Sequence, residues 1–261
     1  MAEPRKTALI TGASGGIGEA LARLCAQGGF DLVLVARRED KLRALADELT
    51  KSQGATCRVV PADLSDPAAP RALFDRLAAD GVRVDALVNN AGFAVHGPVA
   101  EASEQKQVEM LQVNVAALAH LTRLFLPPMV ARRWGRVVNV ASIAGFLPGP
   151  LMAGYYASKA FVVSYSLALA AELKGTGVEV TTLCPGPTAT GFEAAALPAG
   201  NTLFKSGVMG VEPVARAAFR AMTRGGGLVV PGLRNRFLVE STRLAPRGVL
   251  AAIAARFNGV S

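Results

Sequence analysis

The stretch "TALITGASGGIGEALA", residues 7–22, restricts the chain to few folds. A β-branched run of strand length ends at Thr11. Gly12, Gly15, Gly16 and Gly18 follow, and a segment of helical period starts inside the glycine cluster. Such a turn lets backbone come close to a pyrophosphate, while the unpaired N–H groups and dipole of a helix N-terminus favour its negative charge. A glycine-rich loop alone is also what any tight strand-to-helix turn needs. The strand before it and the helix after it give the context in which it reads as a dinucleotide-binding turn.

The same alternation then recurs. The runs "DLVLVA" (31–36), "CRVVP" (57–61), "DALVN" (85–89), "RVVNV" (136–140), "VEVTTLC" (178–184) and "LVVP" (228–231) are strand-length and rich in β-branched residues. Between them lie stretches with apolar residues three and four apart, the spacing of one helix face. Strands apolar on both faces, separated by helices, predict an α/β architecture with a parallel sheet covered on each side. Hydrophobic residues make up 51% of the chain and charged ones 18%, enough for a buried core. No repeat or linker interrupts the pattern. One domain over 1–261 is therefore expected, with an irregular insertion at 187–210 and a basic tail at 232–261.

The formal charge of +8 admits an anionic partner: nucleic acid, a membrane surface or a phosphorylated cofactor. The end of the second predicted strand favours the last. An NAD site commonly places an acid there for the ribose hydroxyls, whereas this chain has Ala36, Arg37 and Arg38. A guanidinium at that point pairs with a 2′-phosphate, so NADP(H) is expected over NAD(H), with Arg37 the stronger candidate. The competing reading of "RRED" is a solvated helix start. Nucleic acid is not expected, because the basic residues come without a recognition motif and with few aromatics for base stacking.

Cys25, Cys57 and Cys184 are far apart, without the pairing of a zinc site or a disulfide framework, so no metal is expected. No apolar segment precedes the glycine cluster and no later run is read as approaching membrane-spanning length, so a cytoplasmic protein is expected. In the tail, Arg234, Arg236, Arg243, Arg247 and Arg256 face a single acid, Glu240, among interleaved apolar residues. That pattern fits a basic amphipathic helix. It is read as packed on its own domain with a solvated basic face, and contact with a membrane surface is the less favoured alternative.

The motifs "TGASGGIG" (11–18), "NNAG" (89–92), Asn114, Ser142, "YYASK" (155–159) and "PGPTAT" (185–190) occur in an order that resembles the short-chain dehydrogenase/reductase family, over residues 6 to about 190. The glycines fit two spacings, Gly12/Gly16/Gly18 and Gly12/Gly15/Gly18, and the length favours the first. The resemblance implies a doubly wound Rossmann fold with seven parallel strands in the order 3-2-1-4-5-6-7. It also implies a homodimer or homotetramer through the helices near 104–126 and 155–173.

Tyr155 and Lys159 are four residues apart and so share a helix face, where an ammonium is expected to lower a phenol pKa that begins near ~10. By resemblance Tyr155 is the acid/base for a carbonyl or alcohol, Ser142 anchors the same oxygen, and Lys159 also holds the nicotinamide ribose. Asn114 supports a water that relays protons to Lys159. Gly12, Ser14, Gly16, Ile17, Gly18, Asp63, Asn90 and Thr188 complete the expected cofactor site with Arg37 and Arg38. Tyr156, the rival phenol, is read as packing or pocket wall, and His96 is left out of catalysis.

The segments expected around the substrate are apolar: "FAV" (93–95), "IAGFLPGPLM" (143–152) and 191–209, with Phe192, Leu197, Leu203, Phe204 and Met209. They suit a bulky or long-chain ketone or secondary alcohol, with 187–210 as a lid. An NADPH-dependent carbonyl reductase is the expected function. The alternatives are a catalytically silent NADP(H)-binding sensor and a membrane-associated reductase of lipid-like ketones.

Overall fold

The β-branched runs become strands at nearly the expected bounds: β1 Thr7–Thr11, β2 Asp31–Ala36, β3 Cys57–Pro61, β4 Ala86–Asn89, β5 Gly135–Val140, β6 Val178–Leu183 and β7 Gly227–Val229. All pair in parallel, in the order β3-β2-β1-β4-β5-β6-β7. The computed structural model describes residues 5–191 and 208–259. The central part of the expected lid, with Phe192, Leu197, Leu203 and Phe204, lies outside the described residues.

Eight helices cover the sheet among the described residues: α1 Gly16–Gln27, α2 Glu39–Gln53, α3 Ala69–Ala79, α4 Glu104–Ala131, α5 Ala153–Glu172, α6 Val211–Arg224, α7 Leu233–Ser241 and α8 Arg247–Asn258. Successive strand residues point to opposite faces, and both faces are dry. Ala8, Ile10, Leu32, Leu34 and Val88 pack under α1, α2 and α6. Leu9, Val33, Val35, Leu87 and Val137 pack under α3, α4 and α5. This explains why the strands read as continuous apolar runs rather than as alternating ones.

Helix α4 corrects one expectation. Its length and its mean hydropathy of 1.3 over an 18-residue window are sufficient to cross a membrane, although no run was expected to approach that length. The apolar residues serve the core instead: Leu118, Leu121, Leu124, Phe125 and Met129 are buried against the sheet. The helix also changes pitch, with a π-helical segment at Gln112–Ala117 that carries Asn114. The three cysteines are free thiols, and Cys25 and Cys184 are buried.

The tail after β7 folds as two helices, α7 and α8, rather than one. Val239, Leu250, Ala254 and Asn258 are buried. Its other face is less polar than expected, since Leu233, Phe237 and Leu244 stand in solvent beside the arginines.

Candidate active site

The carboxyl ends of the strands open into one cavity of about 860 Å³. It runs from the glycine-rich loop to the start of α5.

At the loop end, the two possible glycine spacings are separated by backbone geometry. Gly15 is extended, with φ 174°, a conformation any residue adopts, whereas Gly16 has φ 56° and so occupies the left-handed region. Gly18 is required by crowding. A Cβ there would collide with the Gly12 carbonyl oxygen and the Asn90 amide. Gly12, with φ 66°, Gly16 and Gly18 are thus the loop positions at which the backbone demands glycine.

Asn90 fixes this loop from the next strand. Its Nδ2 donates to the Thr11 and Gly12 carbonyls at 2.9 and 3.3 Å, and its own N–H donates to Thr11 Oγ1 at 2.9 Å. Asn90 lines the cavity, but its amide is engaged in holding the loop. Asn89, its neighbour, points into the sheet and donates to Asn139 Oδ1 and Thr122 Oγ1.

The two arginines after β2 have different partners. Arg38 lies across the loop, with Nη2 donating to the Ser14 carbonyl at 2.9 Å and to Ser14 Oγ at 3.1 Å. Arg37 is 72% exposed in its side chain and pairs loosely with Asp63 at 3.8 Å. The Asp63 carboxyl sits below its ordinary pKa. Burial by itself would raise it, but the Ser65 N–H and hydroxyl and the Arg37 charge together outweigh that effect. Ser14, Ile17, Asp63 and Thr188 also line the cavity. Thr188 donates to the Gly186 carbonyl, and its backbone bridges to Met209.

At the other end, Ser142 follows β5, and Tyr155 and Lys159 rise from the first turns of α5. Ser142 Oγ accepts from the Ala144 N–H at 3.1 Å, which caps the short turn Ile143–Phe146. Lys159 is buried and donates to the Val140 carbonyl at 2.8 Å, its Nζ lying 5.8 Å from the centre of the Tyr155 ring. A hydrogen bond joins Tyr155 to Ser142.

The expected lowering of the Tyr155 pKa is not built into this arrangement. Burial pushes the phenol up to about 12, the Ser142 hydrogen bond offsets only part of that, and neighbouring Tyr156 adds to it. Lys159 points at a carbonyl and passes the ring face, so it does little for the hydroxyl. Its own ammonium is brought down to about 8 by burial, with nearby Cys184 acting the other way.

Asn114 is 1% exposed and lies behind the cavity wall. Its Nδ2 donates to the Phe93 carbonyl at 2.9 Å and to Ser158 Oγ at 3.1 Å, while Oδ1 accepts from the Phe93 N–H at 3.1 Å. Both amide hydrogens are thus committed to holding the 91–93 loop against α5.

Nothing in the sequence marks the tail as a wall of this cavity. Arg234, Asn235, Leu238 and Ala254 line the cavity. Asn258, 1% exposed, accepts from the Tyr156 hydroxyl at 3.2 Å and donates to the Pro150 carbonyl at 2.8 Å. Its carbonyl also accepts from His96 Nε2 at 3.2 Å. Tyr156 is the packing residue expected, its ring edge-on to Tyr155 at 6.1 Å. No local pattern announces these contacts, because Tyr156 and Asn258 are 102 residues apart.

Comparison with known proteins agrees with this geometry. The family model described as short chain dehydrogenase matches residues 6–200. A short chain dehydrogenase of Pseudocercospora fijiensis is 39% identical over 183 residues, a match covering 69% of this chain and 59% of that protein, so this chain spans less than two thirds of that relative's length. The solved short-chain dehydrogenase from Sphingobium yanoikuyae in complex with NADPH is 35% identical, with 92% of this chain and 94% of that one covered and a TM-score of 0.82. A solved 7β-hydroxysteroid dehydrogenase is 30% identical, with 96% of each chain covered and a TM-score of 0.83.

Proposed function

Since the chain belongs to the short-chain dehydrogenase family of oxidoreductases, we propose that it reduces a hydrophobic ketone to a secondary alcohol with NADPH. The observation that carries this reading is the single cavity joining the glycine-rich loop and its two arginines to Ser142, Tyr155 and Lys159.

The residues present fit a dinucleotide. Gly18 keeps the loop free of side chain, the N-terminus of α1 faces the cavity through Gly16 and Ile17, and Arg37 and Arg38, which line the same end, would supply positive charge for a 2′-phosphate. When bound, NADPH supplies a hydride to the carbonyl carbon. Tyr155 gives its phenolic proton to the carbonyl oxygen, and Ser142 donates a hydrogen bond to that oxygen. Lys159 would hold the ribose through its ammonium, which stands beside the Tyr155 ring. Asn114 secures the loop and helix between which a proton path to Lys159 would run.

A phenol near 12 is protonated throughout the neutral range, which suits it to give a proton rather than to take one. The sign of the pH dependence follows from Lys159. Its charge is present below about 8 and lost as pH rises through that value. Ketone reduction is expected to fall above pH ~8, and a rate that keeps rising to pH ~10 would remove Lys159 from the role.

Hydrophobic substrate is supported by Phe93, Leu147, Met152, Leu238 and Ala254 on the cavity wall, and by similarity to a hydroxysteroid dehydrogenase. The test is oxidation of NADPH, and in parallel NADH, with aliphatic, aromatic, steroid and β-ketoacyl ketones. Turnover of apolar ketones with NADPH is expected. Turnover with NADH alone would overturn the cofactor assignment, and binding without any turnover would favour a silent sensor.

Cofactor choice can be tested separately. Among the described residues Arg37 has one loose partner, Asp63 at 3.8 Å, and its exposed side chain can turn onto a phosphate. Arg37→Ala is expected to raise KM for NADPH by roughly 10- to 100-fold, the loss of a charge-assisted contact, with little change for NADH. Equal effects on both would show that Arg37 does not read the 2′-position. Association into a homo-oligomer through α4 and α5 belongs to the same reading, supported by exposed Val108, Leu111, Phe161 and Leu167 on those helices.

A further inference from the structure

We infer that the outer face of α7 and α8 docks on an anionic lipid surface, with the substrate end of the cavity beside it. Leu233 is 86% exposed, Phe237 77% and Leu244 90%, and Val249 and Ile253 on α8 are also exposed. Leu233 and Phe237 are four apart and so form one ridge on α7. The other side of the same helix is occupied, with Asn235 and Leu238 on the cavity wall and Val239 buried. Helix α7 is thus held by one face and shows large apolar side chains on the other, a pattern that marks an interaction surface rather than scattered surface apolar residues.

Charge selects the occupant. Arg236, Arg243, Arg247 and Arg256 are exposed in the same segment, with Arg234 at the cavity mouth, and Glu240, the one acid of the segment, is already paired with Arg243 at 3.1 Å. A second copy in a two-fold contact would set this basic patch against itself, so like charges would oppose the apolar gain. An anionic lipid surface takes both parts: headgroups pair with the guanidinium groups, and protruding Leu233, Phe237 and Leu244 enter the acyl boundary. Because α7 also walls the cavity, docking would place its substrate end next to the phase in which an apolar ketone concentrates. That consequence rests on the hydrophobic-ketone reading, whereas the docking does not.

The experiment is flotation of the full chain, with NADPH, on vesicles of phosphatidylcholine with or without phosphatidylserine. Flotation is expected to be at least about tenfold greater with phosphatidylserine, and high salt should remove most of that excess. The triple variant Leu233→Ser, Phe237→Ser, Leu244→Ser should lose flotation while oxidising NADPH with a water-soluble ketone as before. Failure of the wild type to float overturns the inference, as does equal flotation by the variant. If the wild type does not float and the variant alone falls to a smaller species in sedimentation, the face covers a second copy instead. Flotation without turnover of any apolar ketone would count against the substrate reading and leave the docking surface standing.

Discussion

Tyr155→Phe is expected to lower kcat for ketone reduction by roughly 10²–10⁴-fold, the usual contribution of a positioned general acid, while NADPH still binds. The substitution removes one hydroxyl from a ring that keeps its edge-on contact with Tyr156 and its place beside Lys159. Folding should be nearly unaffected. The ring is half-buried and its hydroxyl bonds to Ser142, which still has the Ala144 N–H and the Pro185 carbonyl as partners. Tyr156→Phe is the matching control, because its hydroxyl is spent on Asn258. If Tyr155→Phe turned over normally and Tyr156→Phe did not, the proton donor would be the second phenol.

Gly18→Val should act on the other end of the cavity and on the whole molecule. Its Cβ meets the Gly12 carbonyl oxygen and the Asn90 amide, and neither can move cheaply, since one is backbone and the other is hydrogen-bonded to Thr11 and Gly12. Overpacking against backbone costs about 3 kcal/mol or more. For a chain of this length that lowers Tm by roughly 6–12 °C. The variant should also lose the rise in Tm that NADPH gives the wild type, because the loop can no longer close around a pyrophosphate. Gly15→Ala is the control: its Cβ would lie 3.2 Å from Arg38 Nη2, the movable tip of an exposed side chain. A Gly18→Val protein with wild-type Tm and undiminished stabilisation by NADPH would show that the crowding is relieved in some other way.

What was legible in the sequence was what is local. Strands β1, β2 and β3 coincide with the runs read from residues 7–11, 31–36 and 57–61, because β-branched residues buried on both faces leave a continuous apolar signal. The loop, the arginines after β2 and the Tyr155/Lys159 pair are each contained within one turn or strand end, so their spacing is enough to find them. Direction of charge tuning was not legible. It depends on how burial competes with the hydrogen bond to Ser142, and burial wins at Tyr155. The same holds for Asn90 and Asn114, whose positions were read but whose amides are engaged in tying loops together. Asn258 gave no signal at all, since its partners Tyr156, Pro150 and His96 come from three distant segments.

The two ends of the cavity are encoded by different parts of the chain. The loop, Arg37, Arg38 and Asp63 are all in place by the end of β3 and the turn after it, whereas Arg234, Asn235, Leu238, Ala254 and Asn258 follow β7. The part that matches the family model ends at residue 200. On the proposed function, the segment after β7 would shape substrate choice jointly with Phe93, Leu147 and Met152, which precede it. Grafting that segment between members is expected to shift a preference for substrate and leave Ser142, Tyr155 and Lys159 with the host.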